Sequence, residues 1–229
     1  MPARREITVG GLRTSYVEHG SPDAPTVLAI HALGLDGGDW DAIGSRLART
    51  RHLLAPDARG HGRSDWPGDY SFELMRDDVL AFADALALHD VTLVGHSMGG
   101  IVAWLVAAER PAWLTRLVIE DAPVPSAGTT TELRQRPEGD LPFDWAAIVA
   151  IVGQINAPDP DWWSALGAID VPTLVVRGGS ASTVPQDEVL ACAAAVGADV
   201  VEIPVGHHIH RSRPDEFLAA WANGHSSQR

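Results

Sequence analysis

Five short apolar runs rich in β-branched residues recur along this chain, and they constrain its architecture more than any other feature. They are "PTVLAIH" at 25–31, "HLLAPD" at 52–57, "VTLVGH" at 91–96, "LTRLVIED" at 114–121 and "PTLVVRGG" at 172–179. Runs so continuous suit strands covered on both faces, because a strand with one wet face alternates apolar and polar residues. Segments of helical spacing separate them: "DWDAIGSRLART" with Trp40, Ile43 and Leu47, "SFELMRDDVLAFADALALH" with Leu74, Val79, Phe82 and Leu86, and "IVAWLVAAER". Strand and helix in alternation imply parallel crossovers, so the expected fold is a doubly wound, mostly parallel α/β sheet. A further strand is expected at "DVVEIP", and "EITVGGLRTSYVEHG", split by Gly10 and Gly11, predicts an edge hairpin at the start.

With 229 residues, 45% of them apolar, the chain is long enough for one sizeable core, and a single domain over 1–229 is expected. The alternation breaks between Asp121 and Pro172. "APVPSAGTTTELRQRPEGDLPFDW" is rich in Pro, Gly, Ser and Thr, while "DWAAIVAIVGQI" and "DPDWWSALGAI" read as helices. So long a stretch without a strand exceeds a simple connection, and residues 122–170 are read as a small helical lid inserted into the domain. Its tryptophans Trp145, Trp162 and Trp163 either line an apolar pocket or pin the lid to the domain.

A formal charge of −13 and the lack of a dense Lys/Arg run argue against binding nucleic acid or an anionic membrane surface. No apolar stretch follows the arginines of "MPARREITVGG", and no window approaches the roughly 18 apolar residues of a membrane span, so a soluble, cytoplasmic protein is expected. The lone Cys192, in "EVLACAAAVG", reads as a small buried helix residue.

Chemistry enters at Gly95-His96-Ser97-Met98-Gly99, where a serine stands between a strand and a helix with a glycine two positions away on either side. This suits a nucleophile elbow: the turn is strained, and only glycine permits close approach of neighbouring backbone. It would also leave the Met98 amide at a helix N-terminus, free to stabilise an oxyanion. The bland alternative is a glycine-rich turn that happens to hold serine; a phosphate loop lacks its Gly-Lys-Ser/Thr ending.

With "HALGLDGGDW", "PDARGHGRSD", "GHSMGG" and "GHHIHRSRPDEF" in that order, nearly the whole chain resembles the α/β-hydrolase fold family. The resemblance implies an oxyanion loop after the third strand, with Leu33 donating a second amide; Ala32 stands where the family usually has glycine. Of the histidines, His96 is expected to pack or hydrogen-bond locally and His61 to be structural. The resemblance selects His207 as the base of Ser97. A metal site of His207, His208 and His210 is the competing reading of that cluster. The acid that orients the base commonly follows the seventh strand in this family, but that loop here reads "VVRGGSASTVPQDE". A subset of the family places it after the sixth strand, where this chain has Asp121, and the reading favours Asp121 over Glu120, Asp187 or Asp199. Successive residues at a strand end face opposite ways, so with Asp121 facing His207, Glu120 is expected to turn away from it.

The resemblance thus implies a serine hydrolase acting on a small-molecule carboxylic ester, with no cofactor and no metal. Hydrolysis of a lactone or a carbon–carbon bond is the alternative, and binding proteins and cyanide-releasing lyases also occur among relatives. Relatives that open epoxides or displace halide through an alkyl-enzyme ester are disfavoured by a serine nucleophile.

Overall fold

The computed structural model describes residues 2–223. Eight strands form one sheet in the order β1-β2-β4-β3-β5-β6-β7-β8: β1 (Ala3–Val9), β2 (Leu12–His19), β3 (Thr26–Ile30), β4 (His52–Pro56), β5 (Val91–His96), β6 (Leu114–Glu120), β7 (Thr173–Arg177) and β8 (Asp199–Glu202). β1 and β2 pair antiparallel through a turn at Gly10 and Gly11, both in the left-handed region (φ 58° and 85°), as the expected edge hairpin requires. From β4 to β8 every pairing is parallel.

The apolar runs divide their side chains between two cores. Leu28, Ile30, Leu93, Leu117 and Ile119 face one, and Val27, Ala29, Val94 and Val118 face the other. This period-2 division is why the runs show no polar alternation. The first core is covered by α2 (Phe72–Ala85), α3 (Met98–Ala108) and α6 (Gln186–Val196), the second by α1 (Asp41–Leu47), α7 (Ile209–Ser212) and α8 (Pro214–Asn223). Trp40, Ile43 and Phe217, all fully buried, fill the second core. Each such side chain contributes about 1.5–3 kcal/mol of burial.

Ser71 caps α2 by accepting the Leu74 N–H at 3.1 Å. The buried stripe of α2 runs through Phe72, Met75, Val79, Phe82 and Ala83; Leu74, assigned to that face from the sequence, lies about 100° away around the helix and is half-buried. Cys192 lies buried in α6 as expected; burial pushes its thiol up to about 11.

Between β6 and β7 the chain carries a coil followed by α4 (Trp145–Asn156) and α5 (Asp161–Ala165). Glu73, in the first turn of α2, anchors both helices: its carboxylate accepts from Gln154 Nε2 at 2.9 Å and from Trp162 Nε1 at 3.0 Å. Trp162 is buried edge-on against Phe72, ring centroids 5.4 Å apart. Of the two readings open for this residue, the structure gives it the pinning one. Trp145 is half-buried at the start of α4. No helix among the described residues is long and apolar enough to cross a membrane.

Candidate active site

Parallel strands deliver their C-terminal ends to one edge of the sheet, and Ser97, Asp121 and His207 follow three of those ends, those of β5, β6 and β8. Ser97, between β5 and α3, has φ 53° and ψ −118°, a conformation that costs a non-glycine residue on the order of 1–3 kcal/mol. Its N–H donates to the Glu120 carbonyl at 3.1 Å and its carbonyl accepts the N–H of Gly100 at 2.8 Å. The flanking glycines are steric necessities. A Cβ on Gly95 would stand 2.2 Å from the Gly99 carbonyl oxygen, and one on Gly99 would stand 2.3 Å from that of Ile30. The start of α3 therefore lies directly against the end of β3.

Met98, first residue of α3, has no acceptor for its N–H within the helix. Leu33 lies in the turn closed by Leu35 N–H to the Ala32 carbonyl at 3.1 Å, with Gly34 at φ 77°. Ala32 is outside the left-handed region, so the departure from glycine carries no backbone strain. His31 fastens this turn to the loop after β4: Nδ1–H donates to the Ala32 carbonyl at 2.8 Å, and Nε2 accepts the Ala58 N–H at 2.9 Å. His61, also buried, donates Nδ1–H to the Arg59 carbonyl at 3.0 Å; burial, with His31 beside it, pushes its pKa down to about 3.

Asp121 follows β6 in the left-handed region at φ 47°. Its buried carboxylate accepts from His207 Nδ1 at 2.8 Å, the Gly178 N–H at 2.9 Å, Gln186 Nε2 at 3.0 Å and the Ser182 hydroxyl. Burial raises the pKa of such a group, but these donors outweigh it and hold Asp121 below the usual carboxylate range. The rival acids stand elsewhere: Asp187 and Asp199 are exposed, and Asp199 opens β8 at the opposite edge of the sheet. Glu120 turns the other way and takes a histidine three residues further along the same loop. It accepts His210 Nδ1–H at 2.7 Å and the His210 backbone N–H at 2.9 Å.

Sequence reasoning missed several partners. Gly178 and Gly206 permit a backbone-to-backbone approach of the loop after β7 to the histidine loop, since a Cβ on Gly178 would lie 2.3 Å from the Gly206 carbonyl oxygen. Ser182 and Gln186 occupy the segment after β7, where relatives commonly carry the acid, and both donate to Asp121. Phe143 lies beside the Leu33 turn, 3.4 Å from where a Cβ on Gly34 would be. A glycine pair and a loop rich in hydroxyls were visible in the sequence, but only the sheet brings them together.

Among the described residues, His207, His208 and His210 do not bring three ligand atoms together. His96, Glu120 and His210 do offer ligand atoms within 4.8 Å of one another, close enough to surround a cation. Positive charge is already supplied there. Arg211 pairs with Asp39, and although burial lowers the pKa of His210, the Glu120 and Asp39 carboxylates more than offset this and raise it to about 9.

Comparison with known proteins adds the family. The family model for the alpha/beta hydrolase fold matches residues 25–159. Among curated relatives, a 2-hydroxymuconate semialdehyde hydrolase of Pseudomonas sp. (strain CF600) is 33% identical over 120 residues, covering 50% of this chain and 42% of that protein. Epoxide hydrolase 4 of Mus musculus is 31% identical over 131 residues, covering 56% of this chain and 36% of that protein. The matches thus span less than half the length of these relatives. A solved structure of a hydrolase from Pseudomonas aeruginosa PA01 superposes with a TM-score of 0.82 at 24% identity, covering 98% of both chains. The motif order, the eight-stranded sheet and these matches agree: this chain belongs to the α/β-hydrolase fold family.

Proposed function

We propose that this protein is a serine hydrolase that cleaves a carboxylic ester of a small, largely apolar substrate through an acyl-enzyme. The observation that carries the reading is the Asp121–His207 contact at 2.8 Å, on the same edge of the sheet as the strained Ser97 turn. With Nδ1–H committed to Asp121, His207 keeps Nε2 as the nitrogen with a free lone pair, which is the tautomer a general base needs.

In this mechanism Nε2 takes the Ser97 proton as Oγ bonds to the ester carbonyl carbon. The Met98 and Leu33 amides hold the resulting oxyanion. The intermediate collapses with His207 returning its proton to the departing alkoxide, which leaves as alcohol, and the acyl group remains on Ser97. Water then loses a proton to His207 while its oxygen attacks the acyl carbon, and collapse releases the carboxylic acid and restores Ser97. Asp121 stays ionised throughout and stabilises the imidazolium. Phe143 and Trp145 form the apolar side of the substrate site, and Trp162 fixes the lid against α2.

A panel of p-nitrophenyl esters and lactones of graded chain length tests the reading. Hydrolysis abolished by Ser97→Ala, with a serine-directed phosphonate attached to Ser97 in the unmodified enzyme, is the expected result. Full activity in Ser97→Ala, or labelling elsewhere, overturns it.

A further inference from the structure

We propose that Glu120 and His210 form a second acid–histidine pair that positions His207, with His96 as the link between them. The inference rests on the reading of His207 as general base. Consecutive residues at the end of β6 grip one loop through two histidines: Asp121 takes His207 at 2.8 Å, and Glu120 takes His210 at 2.7 Å. His96 stands between, its Nε2–H donating to the His207 backbone carbonyl at 2.8 Å and its ring 4.8 Å from the His207 ring and 5.2 Å from the His210 ring, centroid to centroid. The base is therefore held by its side chain, by its own carbonyl and, three residues on, by both the main chain and the side chain of His210.

The pair lies in a sealed, charge-balanced pocket. The side chains of His96, Glu120, His210 and Asp39 are inaccessible to solvent. His210 faces Glu120 from β6, His96 from β5, and Asp39 from the turn before α1, its Nε2 standing 3.3 Å from Asp39 Oδ1. Trp40 stacks on its ring at 4.2 Å, and Phe217 of α8 contacts it edge-on. Arg211, next in the chain, neutralises one carboxylate by pairing with Asp39. The second carboxylate calls for another positive charge, which the His210 imidazolium provides. Losing that proton would leave an uncompensated buried carboxylate against the segment that carries the base. Serine chemistry is sensitive to such displacement, since a shift of about 1 Å in a reacting group can cost on the order of 10²-fold in rate.

The test uses the full chain, with p-nitrophenyl acetate as substrate and phosphonate labelling of Ser97 to count competent sites. Per labelled site, Glu120→Gln is expected to lower kcat by about ten-fold with KM within about two-fold, leaving the Asp121–His207 contact in place. Unmodified enzyme is expected to lose kcat at alkaline pH with a midpoint near 9 while still folded. Glu120→Gln should move that limb down by about one pH unit or more. His210→Asn, whose amide can still donate to Glu120, should remove it. Variants that melt earlier but keep kcat and the pH profile of the unmodified enzyme reduce the pair to a structural role and overturn the proposal. If neither variant folds, the unmodified enzyme decides, because a flat kcat up to about pH 10 is incompatible with it. Unmodified enzyme that takes up no phosphonate overturns the esterase reading first and this inference with it.

Discussion

The hydroxyl of Ser182 donates to the carboxylate of Asp121. The two residues come from different strand ends, β7 and β6, and their contact accounts for a loop that otherwise looks deficient. "RGGSAST" holds no carboxylate and instead supplies donors, the Gly178 N–H and the Ser182 hydroxyl, to the Asp121 carboxylate arriving from the neighbouring strand.

If Asp121 is the orienting acid, Asp121→Asn lowers kcat steeply, by as much as the roughly 10⁴-fold known for the equivalent change in a serine-protease triad, while the protein stays folded. Asp187→Asn, at an exposed site, leaves kcat unchanged and moves stability by no more than about 0.5 kcal/mol. Steady-state kinetics on the two variants decide it; the reverse pattern would assign the acid to Asp187.

Removing the Ser182 hydroxyl takes away one of the donors that depress the pKa of Asp121. A depressed carboxylate contributes stability above its unfolded pKa and loses it as pH falls through the folded one. In Ser182→Ala that folded pKa rises, so acid unfolding begins at a higher pH, and stability at neutral pH drops by about 1–3 kcal/mol. Urea titrations between about pH 3 and 7 measure both effects; coincident curves for variant and parent would contradict them.

Two glycines make a paired test of the backbone. Gly178→Ala forces a Cβ to within 2.3 Å of the Gly206 carbonyl oxygen, so it is expected to cost about 1–3 kcal/mol and to lower kcat by displacing the histidine loop. Gly153→Ala, in α4 with nothing within 4 Å of the added Cβ, is expected to stabilise by up to about 1 kcal/mol. Thermal melts together with ester hydrolysis report both.

Stability itself should fall on the alkaline side. Folding raises the pKa of His210 from 6.5 to about 9, so its contribution is complete below about 6.5 and disappears as pH rises through about 9. The full amount is on the order of 3 kcal/mol, since this ring is buried. Denaturation midpoints that decline between pH 7 and 10, and decline less in His210→Asn, are expected; equal slopes would deny His210 the role.

The strands, the crossovers and the strained turn at Ser97 were legible in the sequence because each depends on short-range periodicity or on local sterics. "PTVLAIH" and "VTLVGH" declare themselves by composition, and Gly95 and Gly99 by what Ser97 between them requires. The contact between Asp121 and His207 was anticipated only through the family resemblance, since residues 86 positions apart leave no local signal. Asp39 and the Glu120–His210 pair were not, for a physical reason: Asp39 and His210 are 171 positions apart and meet only because their elements end at one edge of the sheet. Likewise a tryptophan that lines a pocket and one that pins a lid look alike in sequence; the Glu73 carboxylate at the Trp162 indole nitrogen is what distinguishes them here.

The coil leading into α4 is stitched to the loop after β4. Gly62 N–H donates to the Pro142 carbonyl at 2.8 Å and Asp144 N–H to the Gly60 carbonyl at 2.7 Å, with a single bridge between His61 and Phe143. Swinging Phe143 away from the Leu33 turn would break both bonds, at about 0.5–1.5 kcal/mol each. The wall beside the Leu33 turn is thus built before any ligand arrives, so a substrate held as proposed above would spend little of its binding free energy on ordering protein and keep it for the reacting bond.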